Sequence, residues 1–138
     1  MPVSGSKFSL DNLDVPATIK AIAVGRIALG ASYVFAAGPA LKLWPGRGGS
    51  NDEERAMQRL LARSIGGRDL ALAIGSLLAL SHDKPVRGWV EAAMLADAVD
   101  ALAIGLALRR VPRALGLALF AGSVGTAVVE RKLASALG

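Results

Sequence analysis

The stretch "SIGGRDLALAIGSLLAL", Ser64 to Leu80, decides how this chain is read. From Leu70 onward it has the composition of a membrane helix, yet it opens on Gly66, Gly67, Arg68 and Asp69. Farther along, "LADAVDALAIGLAL", Leu95 to Leu108, sets Asp97 and Asp100 inside a second apolar stretch. A water-soluble domain of 138 residues fills its core with aromatics, but here hydrophobic residues make up 53% and aromatics only 4%. The apolar stretches are built from Ala, Leu, Gly, Val and Ile, and small residues allow close helix packing in lipid.

Working outward, four apolar runs approach the roughly 20 residues that cross a bilayer. The first is Thr18 to Leu43, entered after Pro16 and kinked or ended at Gly38-Pro39, with Trp44 as an interfacial anchor. The second is Ile65 to Leu80, the third Trp89 to Leu108 and the fourth Ala114 to Val129, closed by Glu130, Arg131 and Lys132. Between the first two, "PGRGGS" reads as a flexible turn, followed by a helix capped by Ser50 or Asn51 with Asp52, Glu53 and Glu54 in its first turn. Arg55, Arg59 and Arg63 share one face of it, which predicts an amphipathic interfacial helix bending at Gly66-Gly67 into the second span.

The expectation is an all-α polytopic membrane protein: a polar N-terminal segment (1–17) and a four-helix transmembrane domain (18–138) with an interfacial helix between its first and second spans. The N-terminal segment lacks the basic and apolar regions of a signal peptide. Both termini fall on one side. Basic residues number six on that side and eight on the other, so the positive-inside rule puts the termini outside. The net charge of +5 is not read as a nucleic-acid surface, because the Lys and Arg gather at span ends, where they meet lipid phosphates.

Charges inside spans cost roughly 2.5–3.5 kcal/mol each near the bilayer centre. They therefore face the bundle interior and pair. Arg26 lies in the first span, Arg68 and Asp69 open the second, and the i,i+3 spacing puts Asp97 and Asp100 on one face of the third. These five are the candidate site residues. Arg26 is predicted to approach one of the two aspartates of the third span or to bridge both, while Arg68 and Asp69 could instead sit at headgroup depth. Ala118, Gly122 and Thr126 form a small-residue ridge predicted to face a neighbouring helix, as do Ala21 and Gly25. There is no cysteine and one histidine, His82, in a polar loop, so thiol chemistry is excluded and neither a metal nor a haem is expected. No cofactor is called for.

The run "RSIGGRDLALAIGSLLAL", then Trp89, then "LADAVDALAIG", resembles a family of small, uncharacterised four-helix bacterial membrane proteins. These carry a Gly-Arg-Asp-Leu-Ala-Leu stretch opening the second helix and an Asp-x-x-Asp pair in the third. "GRIALGASYVFAAGPALKLW" is similar to the first helix of DoxX-like proteins. The resemblance implies a four-helix fold in the bacterial inner membrane and no particular activity. Three functions remain open: an accessory subunit that assembles with itself or a membrane-protein partner, glued by its Arg/Asp cluster; a membrane-embedded acid/base enzyme for a lipophilic small molecule, of isomerase or epoxide-opening type; and a proton-coupled small transporter. A ligand-sized cavity beside Asp97 favours the second, and a dry, fully paired cluster the first.

Overall fold

The computed structural model describes residues 14–43, 51–109 and 112–138. Trp44, the "PGRGGS" turn and the segment up to residue 13 lie outside the described residues. Those described form helices α1 (Val15–Phe35), α2 (Ala37–Leu43), α3 (Asp52–Ser81), α4 (Arg87–Ala107) and α5 (Arg113–Ala136), with no strand among them.

Local chemistry sets the ends. Asp14 caps α1 by accepting from the Ala17 amide at 3.1 Å. Pro16 sits in the first turn, where its missing N–H costs nothing, so α1 starts three residues before Thr18. Pro39 can neither donate to the Phe35 carbonyl nor avoid its ring clashing there. The helix accordingly stops at Phe35, and Pro39 falls in the first turn of α2. Asn51 caps α3 by accepting from the Glu54 amide at 2.8 Å, with three carboxylates in the first turn complementing the dipole.

Two expectations are corrected. The helix does not break at Gly66-Gly67: α3 is one continuous helix of 30 residues, about 45 Å at 1.5 Å per residue. Gly66 serves a helix contact instead. A Cβ there would lie 2.6 Å from the Gly30 carbonyl oxygen, and one on Gly30 would lie 2.7 Å from that of Gly66. The backbones of α1 and α3 therefore touch at this pair of glycines. Helix α5 also does not end at Val129 but continues to Ala136.

The helices pack as two antiparallel pairs, α1 with α3 and α4 with α5. At the end holding the α1 N-terminus and the α5 C-terminus, Ile19, Ala79, Val86, Val90, Leu133 and Ala134 form a common core. The Trp89 ring lies directly over Gly75, where any side chain would collide with it. At the other end Tyr33, Ala37, Ala40 and Ala62 join α1, α2 and α3. Between the pairs a gap remains. Gly122 and Gly25 have no atom within 4 Å of a would-be Cβ. With Ala118 and Thr126 they line this gap rather than contact a neighbouring helix, which overturns the packing expected of Gly122.

Three helices, α1, α3 and α5, are long and apolar enough to cross a membrane. In α4 large apolar side chains face outward and one carboxylate faces inward. Val90, Ala93, Asp97 and Ala101 are buried while Leu95, Val99, Leu102 and Leu106 point outward. Large apolar side chains outside and a carboxylate inside suit a lipid surround and not water.

Candidate functional site

Arg26 is the hub. From α1 its Nη1 donates to Asp69 Oδ1 on α3 at 3.0 Å. Its Nη2 donates to Asp97 Oδ2 on α4 at 2.7 Å and to Glu130 Oε1 on α5 at 2.9 Å. One guanidinium thus ties all four long helices together, each contributing one side chain. Arg68 completes the cluster, with Nη1 and Nη2 donating to the two oxygens of Asp100 at 2.9 and 2.8 Å, and Nη2 also to Asp69 at 3.2 Å.

All five sequence-predicted residues therefore meet. The expected approach of Arg26 to an aspartate is to Asp97. The bridging alternative is overturned, because Arg68 takes Asp100, one turn farther along α4. Asp69 is buried among these charges and does not sit alone at headgroup depth, while Arg68 is half-buried. Glu130 was missed. It reads as the start of a solvated Glu-Arg-Lys end, yet it is 2% exposed. A signal was present: Leu133, Ala134 and Leu137 follow at i+3, i+4 and i+7, continuing the apolar face of α5 beneath Glu130 and away from Arg131 and Lys132.

With Glu130 included, four carboxyls share two guanidiniums, a surplus of two negative charges when all ionise. Glu130 Oε2 and both arginine Nε atoms are buried without a hydrogen-bond partner. Every Nη atom is already engaged with a carboxylate, so the arginines hold and orient acids rather than stand free. Asp97, Asp69 and Glu130 are more enclosed than Asp100, whose side chain remains one-third exposed.

Above the cluster lies a cavity of about 800 Å³ between the helix pairs. Its floor is Arg26, Arg68, Asp69, Asp97 and Asp100, and its walls include Ile22, Leu29, Ile65, Ile104, Leu119 and Gly122. Ligand pockets commonly measure about 300–1,000 Å³ and are apolar with a few convergent polar groups. Behind Arg26 a second cavity of about 20 Å³, lined by Glu130 and Ser76 among others, has room for about one water. Among the described residues no group of side chains could hold a metal ion. His82, outside the cluster, places Nδ1 2.8 Å from the Leu78 carbonyl at the end of α3.

Among the described residues, fold and site define a helical protein with three helices long and apolar enough to cross a membrane and a charged, cavity-lining centre. The chain matches no known family model, no characterised protein and no solved structure.

Proposed function

We propose that this chain is a four-span protein of the bacterial inner membrane whose Arg26-centred cluster binds the polar head of a lipophilic molecule and exchanges protons with it. The observation that carries this reading is the 800 Å³ cavity with apolar walls and the cluster as its floor. A purely structural cluster needs no such space. The chemistry that fits is an isomerisation or an epoxide opening, which require an acid and a base but no cofactor. A protonated carboxyl gives its proton to the substrate oxygen, and a neighbouring carboxylate, Asp97 or Asp100, takes one from carbon or from water. Arg26 and Arg68 keep the acids in place and offset charge as it moves. Because the same bonds join four helices, the cluster also stabilises the bundle, as an accessory subunit would require. Arg68, Asp69, Asp97 and Asp100, the residues of the two sequence motifs, are gathered here at the cavity floor.

The test is extraction in a mild detergent, followed by mass spectrometry of what co-purifies. The wild type should retain a lipophilic compound that Gly122→Trp, which places a large side chain in the cavity, releases. Asp97→Asn should retain the compound but fail to convert it. Equal, empty spectra for wild type and Gly122→Trp would remove the reading.

The four-span placement makes its own prediction. Cysteines at Asp83 and Ser135 should react with an impermeant maleimide from one side of the membrane, and a cysteine at Arg113 from the other. Labelling of all three from one side would reduce the number of spans. The outward apolar face of α4 supports its crossing despite its three acidic residues.

A further inference from the structure

Resting on the ligand-binding reading above, the donor and acceptor balance of the cluster sets the charge of the ligand. Each guanidinium offers five N–H donors, and each ionised carboxylate about four lone-pair sites. Two guanidiniums therefore face four carboxylates with acceptors in large excess. The terminal nitrogens of both arginines already donate to Asp69, Asp97, Asp100 or Glu130. An incoming anion finds no free cation and meets a floor with three carboxyls against two guanidiniums. An incoming cation finds acceptors to spare. Glu130 Oε2 accepts no hydrogen bond, and the two arginine Nε–H groups that also lack partners are buried and give a ligand nothing to meet. Among the described residues the cavity walls contribute no other charged side chain, so nothing along the walls offsets the surplus at the floor.

We propose that the cavity selects a cationic amphiphile: an apolar body, alkyl or isoprenoid, ending in a protonated amine that sits against Asp100 and Asp97. Asp100 is the contact nearest the opening, with its side chain one-third exposed. The apolar body lies along Leu29, Ile65, Ile104 and Leu119. A head that gains positive charge only while reacting, as an epoxide does on protonation, is stabilised by the same surplus. Ammonium amphiphiles therefore also act as mimics of such a state.

Three probes with one tail and different heads test this on the full chain in maltoside micelles: tetradecylammonium, tetradecanol and tetradecanoate. Binding is followed by thermal stability and by titration. The ammonium should bind about tenfold or more tightly than the alcohol, the equivalent of one charge-assisted contact, and the carboxylate more weakly than either. Gly122→Trp should abolish the ammonium effect, separating cavity binding from a general effect of micelle charge. Asp100→Asn should reduce the ammonium's advantage over the alcohol while leaving alcohol binding in place. Equal binding of ammonium and alcohol, both lost in Gly122→Trp, would overturn the charge preference and leave the lipophilic site standing. Tighter binding of tetradecanoate would overturn it as well. Binding of no probe, with wild type and Gly122→Trp alike, would remove both the preference and the site.

Discussion

Replacing Arg26 by leucine should destabilise the protein in detergent micelles by about 3–5 kcal/mol, the usual cost of removing one partner from a buried ion pair. The expected effect is large because three carboxylates on three helices lose their shared donor at once. Glu130 and Asp97 share Nη2 and are both buried, so neither is easily reached by water. Asp97→Asn in the Arg26→Leu background should recover part of the loss, because one stranded charge is gone. A double-mutant cycle from thermal or denaturant unfolding measures this coupling, expected at about 0.5–3 kcal/mol. The opposite change should be mild. Glu130→Gln keeps an oxygen for Arg26 and removes one of the surplus negative charges, so its cost should stay below about 1 kcal/mol. A coupling of zero between Arg26 and Asp97, or a Glu130→Gln cost equal to that of Arg26→Leu, would contradict the cation-limited cluster.

The second large effect is expected one helical turn from the cluster. Gly66→Leu should cost about 3 kcal/mol, the upper end of what overpacking does, because its neighbours cannot swing away. A Cβ at this position meets the Gly30 carbonyl at 2.6 Å, Tyr33 Cβ at 2.8 Å and Val34 Cγ2 at 3.2 Å. Relief requires α1 and α3 to separate. Arg26 stands one turn from Gly30, and Asp69 three residues from Gly66, so separation also stretches the 3.0 Å Arg26–Asp69 bond. Gly66→Leu should therefore weaken both thermal stability and ligand retention. Gly67→Leu is the control. Nothing lies within 4 Å of its would-be Cβ, and leucine is the better helix former, so stability should hold or rise slightly. If both variants behaved alike, the close approach of α1 and α3 would not be the cause.

The sequence by itself determined the apolar helices, because composition and run length decide whether a segment suits lipid. It also determined which charges must cluster. Arg26, Asp97 and Asp100 are flanked by apolar residues on both sides, and a charge in that setting has no lower-energy course than to find a partner. The cap at Asn51 and the break ahead of Pro39 are likewise local chemistry, read within one turn; the Asp14 cap is equally local, but a reading that starts the helix at Thr18 passes over it. Tertiary structure decided the rest. Whether Gly66-Gly67 bends a helix or lets another backbone in depends on whether Gly30 lies opposite, and no local pattern carries that. The ridge of Ala118, Gly122 and Thr126 fits a close helix contact and a cavity wall equally well, since a missing side chain only leaves space and the neighbouring helix determines whether it is filled. Glu130 next to Arg131 and Lys132 looks solvated in one dimension. It enters the core because α5 continues past it and turns that face toward α1, where Arg26 still has a nitrogen to share.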